Sequence, residues 1–139
     1  MDNNKLLSEY RLQILKWIEH LLYSMGKVQS LSSDPSKLST QELESWEGFV
    51  ARFARVSDIF LSKYLRAYVL KGDPAFRGSL RDFVNQAEKL GLVEDAEQWM
   101  TIRELRNMAA HEYSEKELAK DFEKMKQLAP FLTSLKDKL

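Results

Sequence analysis

The segment from residue 106 to residue 113 combines four side chains whose chemistry suits a phosphate. Arg106 supplies a fixed positive charge, Asn107 an amide, His111 an imidazole that titrates near neutral pH, and Tyr113 a phenol. An arginine can bind a phosphate through parallel hydrogen bonds, a histidine can transfer protons, and the amide and phenol can orient reacting groups. These residue types therefore indicate a phosphodiester site, with Arg106, His111 and Asn107 as its candidate catalytic residues.

Arg106 also breaks the apolar pattern of its own helix. At about 100° per residue, a helix over residues 95–110 places Arg106 inside an apolar stripe. The stripe consists of Trp99, Ile102, Leu105, Ala109 and Ala110. Because a buried guanidinium needs compensating charge or acceptors, three interpretations stay open. Arg106 forms a buried structural ion pair, for which Asp58 is the candidate partner, or it donates to an array of carbonyls, or it lies in a cleft where a ligand anion supplies the charge. For His111 the alternative to a catalytic role is a capping or core histidine.

The chain that must position these residues is predicted to be all-α, an up-and-down bundle of four or five helices in one domain spanning 1–139. Apolar residues recur at spacings of three and four along five segments. Ser39 with Glu42, and Ser114 with Glu117, have the spacing of capping boxes. Gly26 is expected to end the first helix, and Pro130 to kink or split the last. The predicted helices cover residues 5–25, 39–71, 79–90, 95–110 and 114 onward.

The second predicted helix is apolar around much of its circumference. Its residues Phe49, Phe53, Val56 and Phe60 mark the centre of the apolar face, which Trp46, Val50, Leu61, Tyr64 and Tyr68 widen. This width exceeds what one small bundle is expected to bury, and it predicts contacts with several helices and a homodimer. The tryptophans at 17, 46 and 99 all fall on apolar stripes, which predicts that they belong to the core.

Charge is balanced over the whole chain, with 21 Lys and Arg against 21 Asp and Glu. Any anion-binding surface must therefore be a local patch. Arg52, Arg55, Lys63 and Arg66 recur on one side of the second helix and form a candidate RNA-binding ridge. Its alternative is a solvated face opposite the apolar stripe, the usual meaning of such charge runs.

Residue types that are scarce in the chain limit the function further. There is no cysteine, and His20 and His111 are the two histidines, so the sequence predicts no disulfide, no transition-metal site and no cofactor. No apolar run approaches the roughly 18 residues that a membrane span needs, and the N-terminus does not resemble a signal peptide. A cytoplasmic protein is predicted.

The string Arg106-Asn107-Met108-Ala109-Ala110-His111-Glu112-Tyr113 resembles the Arg-x4-His-x-Tyr signature of the HepT toxin branch of the HEPN superfamily. It also resembles the related nucleotidyltransferase substrate-binding subunits. The likeness covers most of the chain, because helix order, length and motif position agree. It implies a HEPN-like homodimer in which the two motifs face a shared cleft, and metal-independent RNA cleavage with Arg106 and His111 in the catalytic positions. In the HepT branch a minimal nucleotidyltransferase acts as antitoxin and transfers AMP to the motif tyrosine, here Tyr113.

Three functions follow from these observations. The first is a ribonuclease toxin in which the 2′-hydroxyl of RNA attacks its own phosphate, with His111 moving protons and Arg106 stabilising the charge. The alternative is a non-catalytic subunit that docks a nucleotidyltransferase and presents a substrate to it. The third is a structural dimeric bundle in which Arg106 forms a buried ion pair.

Overall fold

A computed structural model describes residues 3–109 and 114–139 of the chain. Over these ranges the chain forms helices, turns and loops without a β-strand, which confirms the predicted all-α class. The elements are α1 (Asn3–Val28), a 3-10 turn (Pro35–Lys37), α2 (Thr40–Ile59), a π turn (Phe60–Tyr64), α3 (Leu65–Gly72), α4 (Leu80–Lys89), α5 (Ala96–Ala109), α6 (Glu115–Thr133) and a final 3-10 turn (Ser134–Asp137).

The long helix predicted from residue 39 to residue 71 is one continuous rod, but it is not α-helical throughout. α2 and α3 are joined by the π turn, in which the Leu65 N–H donates to the Phe60 carbonyl five residues earlier. A π turn accommodates one residue more than an α turn, so α3 is rotated by about 100° from the position that an uninterrupted α-helix would give it. Periodicity predicted the rod and missed this rotation.

Helix starts follow the serine capping chemistry that the sequence indicates. Ser39 accepts a hydrogen bond from the Glu42 N–H at 3.1 Å, and the Glu42 carboxylate accepts one from the Ser39 N–H at 2.9 Å. Ser79 and Asp82 make the same reciprocal pair at α4, and the hydrogen bonds from Ser79 hold the pKa of the Asp82 carboxyl below its ordinary value. Local side-chain to backbone bonds therefore set where α2 and α4 begin.

The predicted end of the first helix at Gly26 is wrong, and the last helix is not split at Pro130. α1 continues through Gly26 to Val28, because Val28 is 1% exposed and anchors the last turn in the core. α6 is not split at Pro130, which lies on the exposed side one turn before the helix ends. A proline there removes a single N–H from the final turns. The predicted end of the 79–90 helix is correct, by contrast, because Gly91 follows α4 in a left-handed conformation with φ of 82°.

The broad apolar face of the rod is buried within one chain. α2 packs against α1, α5 and α6. Five large apolar residues of the rod are 0% exposed, namely Trp46, Phe49, Phe53, Val56 and Phe60. Trp46 stacks on Phe122 of α6 with 4.6 Å between ring centroids. Most of the apolar surface that predicted a homodimer therefore packs against neighbouring helices of the same chain, while Val50 and Tyr68 are half-buried. Trp46 and Trp99 are core residues as predicted, and half-buried Trp17 packs against the core.

None of the helices in the two described ranges is both long and apolar enough to cross a membrane.

Candidate functional site

Arg106 lies in a cleft between the long rod and α5. This α2–α5 cleft has a volume of 380 Å³ and is lined by Asp58, Ile59, Ser62, Lys63, Arg103, Arg106 and Asn107. Ser62 and Lys63 belong to the π turn, so the irregular part of the rod forms one wall of the cleft. π turns occur frequently at functional sites, because they displace side chains from the regular helical pattern.

Asp58 holds Arg106 through a two-pronged ion pair. The Arg106 Nε donates to both carboxylate oxygens, at 3.1 and 3.2 Å, and Nη2 donates to Oδ2 at 2.9 Å. The predicted partner is therefore correct. The pair is not buried, however, because the Arg106 side chain is 32% exposed and that of Asp58 is 43% exposed. Arg106 lies at the edge of the apolar stripe, where its charge is neutralised on one side and reaches solvent on the other.

The guanidinium keeps hydrogen-bonding capacity beyond this ion pair. Asp58 occupies the edge formed by Nε and Nη2. A guanidinium has a second edge, formed by Nη1 and the other Nη2 hydrogen, that can grip two oxygens of an anion. No residue in the described ranges accepts a hydrogen bond from Nη1 of Arg106. Asp58 thus fixes the orientation of the side chain without using up its donors.

The cleft is electrostatically suited to an anion. Lys63, Arg103 and Arg106 bring three cations to its lining, against the one carboxylate of Asp58. Asn107 is exposed beside them and adds an amide that can donate or accept. Two of the three predicted catalytic residues, Arg106 and Asn107, therefore share the cleft with the predicted RNA-binding residue Lys63.

The remaining two residues of the predicted motif, His111 and Tyr113, lie outside the described residues. On the far side of that segment, Ser114 caps α6 by accepting a hydrogen bond from the Glu117 N–H at 3.4 Å.

The predicted RNA-binding ridge is only partly realised. Arg52, Arg55 and Lys63 follow the outward side of α2 and the π turn. Arg66 leaves this line, and its guanidinium lies 4.8 Å from the ring centre of Phe83 on α4. Arg66 leaves the line because the π turn rotates α3, whereas a single line of cations requires a regular α-helix from residue 52 to residue 66. Arg52 and Arg55 are not simply solvated either, because both contact α1.

Sequence reasoning missed three lining residues, Ile59, Ser62 and Arg103. Arg103 had a usable signal, because it precedes Arg106 by three positions and so lies on the same side of α5. Ser62 had none, since only the π turn determines which side of the rod it faces.

Elsewhere on the rod, burial raises the pKa of the Tyr64 phenol, with a smaller contribution from Tyr68 and an opposing one from Arg11. Tyr64 lies on the inner side of the π turn, 8% exposed, and lines a separate cleft beside Lys138. It does not contribute to the α2–α5 cleft.

Comparison with known proteins gives one result beyond the geometry. No curated protein and no solved structure matches the chain significantly. A family model described as "Nucleotidyltransferase substrate binding protein like" matches residues 18–139, from the middle of α1 to the C-terminus. The match contains both walls of the α2–α5 cleft and the whole 106–113 motif. The chain therefore belongs to the nucleotidyltransferase substrate binding protein-like family.

Proposed function

We propose that this protein is the partner subunit of a nucleotidyltransferase and binds a phosphate-bearing substrate in the α2–α5 cleft. The observation that carries the proposal is the geometry of Arg106. Asp58 holds one edge of its guanidinium, and no residue of ranges 3–109 and 114–139 accepts a hydrogen bond from Nη1 at the other edge, beside which Lys63 and Arg103 also line the cleft. A preoriented guanidinium loses less freedom when it grips a phosphate than a mobile one does. The family to which the chain belongs supports a nucleotidyltransferase as the partner.

Within such a complex, Tyr113 is the proposed acceptor of an AMP group. A phenol can take up the nucleotide through its oxygen, and the added phosphate carries negative charge. Because Tyr113 follows Arg106 closely in the sequence, that phosphate could pair with Arg106 in place of a substrate phosphate. The modification would then regulate access to the cleft.

Incubation with the cognate minimal nucleotidyltransferase and ATP is expected to add one AMP to the wild-type protein and none to Tyr113→Phe, as measured by intact-protein mass spectrometry. Tyr23→Phe is the matched control, because Tyr23 is 63% exposed and its loss should leave the modification unchanged. Size-exclusion chromatography of the mixture is expected to show a complex. Failure to associate would contradict the proposed partner, whereas association with AMP on another residue would contradict the role of Tyr113 alone.

A second candidate function is metal-independent cleavage of RNA, as in a toxin that AMP transfer would silence. It is favoured by the shared placement of Arg106, Asn107 and Lys63 in a cleft whose cationic lining suits an RNA phosphate. In the proposed reaction the 2′-oxygen bonds to the adjacent phosphorus and the bond from phosphorus to the 5′-oxygen breaks. His111 would take the proton from the 2′-hydroxyl or deliver one to the leaving oxygen, while Arg106 stabilises the charge on the phosphate.

The predicted homodimer needs a separate test, because the core of one chain already buries the apolar face that suggested it. Met108 is 52% exposed in the last turn of α5, directly after Asn107. If two motifs face a shared cleft, Met108 lies at their interface. Sedimentation at micromolar concentration is then expected to show a dimer that Met108→Lys dissociates. Leu90→Lys, a matched change at the 45% exposed residue that caps the C-terminus of α4, should leave it intact. A wild-type monomer, or a dimer indifferent to Met108→Lys, would contradict the shared cleft.

A further inference from the structure

A second surface of the molecule combines aromatic rings with cations. It lies where α1 packs against α2. We refer to it as the aromatic–cationic patch, and it consists of Trp17, His20, Tyr23, Lys27, Arg52 and Arg55.

Each cation of the patch lies over an aromatic ring. The Arg55 guanidinium lies 4.4 Å from the ring centre of Trp17, and the Trp17 and His20 rings are 5.0 Å apart. The Lys27 ammonium and the Arg52 guanidinium lie 5.6 and 5.8 Å from the ring centre of Tyr23. These distances are within the range of cation–π attraction. The patch is therefore an organised cluster in which each aromatic side chain is placed beside a positive charge.

Packing between α1 and α2 explains only part of this arrangement. Arg52 is fixed by hydrogen bonds from Nη1 to the His20 carbonyl and the Ser24 hydroxyl, at 3.0 and 2.9 Å. Tyr23, however, is 63% exposed and contributes little to the core. Within the described part of the chain, no carboxylate lies within 4.0 Å of the Lys27, Arg52 or Arg55 nitrogens, although acids and bases are equal in number overall. The patch holds three cations whose charge is not neutralised locally.

The patch is continuous with the α2–α5 cleft. Along the outward side of the rod, Arg55 is exposed, Asp58 and Ile59 are half-exposed, and Ser62 and Lys63 are exposed again. The cleft begins at Asp58, one helical turn beyond Arg55. A flexible polyanion lying on the patch could therefore extend directly into the cleft.

We propose that the aromatic–cationic patch binds single-stranded nucleic acid. Exposed rings provide stacking surfaces for bases, and ordered cations that lack carboxylate partners bind phosphates, which together are the means of sequence-independent strand binding. Tyr23 offers the open ring, and Lys27, Arg52 and Arg55 offer the charges. None of these groups recognises the sugar, so RNA and DNA strands are both expected to bind. The inference concerns binding alone and stands whether or not the cleft has the function proposed above.

The test uses the whole protein and labelled oligothymidylate of about ten nucleotides, which lacks the 2′-hydroxyl and cannot be cleaved by 2′-attack. Fluorescence anisotropy is expected to show binding that weakens as salt rises. Tyr23→Ala combined with Lys27→Ala should lower the affinity about tenfold. The matched control is Lys89→Ala with Leu90→Ala, which removes a cation and a 45% exposed apolar side chain at the C-terminal end of α4 and should change nothing.

Tryptophan fluorescence provides a second readout that locates the strand. Trp46 and Trp99 are 0% and 2% exposed, so a bound strand can quench only half-buried Trp17 directly. Quenching is expected in the wild type and in the Lys89→Ala, Leu90→Ala control, and should vanish in Trp17→Phe. Equal affinities of the patch and control double variants would overturn the proposal. So would equal competition by inorganic polyphosphate and unlabelled oligothymidylate at the same phosphate concentration, since stacking would then contribute nothing.

Discussion

In the proposed cleavage of RNA, Arg106→Ala is expected to reduce the rate in EDTA by about 100-fold or more, the scale of effect seen when a donor that stabilises transition-state charge is removed. The same variant should lower the free energy of unfolding by only about 1 kcal/mol, because the Asp58 ion pair is partly exposed and solvent screens it. The measurements are gel electrophoresis of RNA incubated with purified protein, and thermal melts of both proteins. Activity and stability should therefore respond very differently to this single change.

Companion variants separate the possible causes of a loss. His111→Ala should be equally inactive, whereas Lys71→Ala, at an exposed position in the last turn of α3, should cleave normally. Arg106→Lys keeps the charge but loses the forked geometry, and should remain strongly impaired. A loss of about 3–5 kcal/mol in Arg106→Ala would instead identify the ion pair as a structural one. A wild-type protein that binds its nucleotidyltransferase and leaves RNA intact would identify a non-catalytic subunit.

Trp46→Ala is expected to bring the fold close to unfolding. Trp46 is 0% exposed, stacks on Phe122, contacts Phe49 edge-on at 5.5 Å, and donates from Nε1 to the Ser32 carbonyl at 2.8 Å. Removing a buried tryptophan side chain lowers stability by about 3–5 kcal/mol, and the Ser32 carbonyl loses its partner as well. Since a domain of this size has about 5–15 kcal/mol in total, much of its stability should disappear. Urea denaturation followed by circular dichroism measures the effect.

Trp17→Ala is the matched comparison, because it makes the same chemical change at a half-buried site. Its loss of stability should be less than half that of Trp46→Ala, since less apolar surface returns to water. Equal losses in the two variants would show that Trp46 does not hold the core in the way described.

Much of the fold could be predicted because its determinants are local. Ser39 and Ser79 start helices through hydrogen bonds within four residues, and Gly91 ends one through its own backbone conformation. The π turn at Phe60–Tyr64 has no such marker, because it depends on how two parts of one rod fit different neighbours. The prediction that α1 ends at Gly26 failed for the same reason, because the core contact of Val28 outweighed the local preference of glycine to end a helix.

For the candidate site, the charged partner of Arg106 could be predicted from the sequence, but the solvent exposure of the pair could not. A guanidinium within an apolar stripe must find an acid, and Asp58 was identifiable because it borders the apolar face of the neighbouring helix. Sequence periodicity gives the direction of a side chain only to within a broad angle. It therefore cannot distinguish a buried ion pair from an ion pair at the edge of a cleft. The half-exposed Trp17 illustrates the same uncertainty on α1.

The π turn connects two helices, α2 and α3, whose side chains follow different directions around the axis of the rod. Before the turn, α2 packs against α1, α5 and α6, and after it α3 packs mainly against α4 and α1. The extra residue in the turn lets the apolar residues of α2 and of α3 each face their own neighbouring helices. Loss of a residue within Phe60–Tyr64 would therefore not shorten a loop but turn one half of the rod against the other. Asp58 would keep facing Arg106 while buried Leu65 and Val69 rotated out of the core. A deletion in the π turn beside this cleft would thus rotate α3 relative to α2.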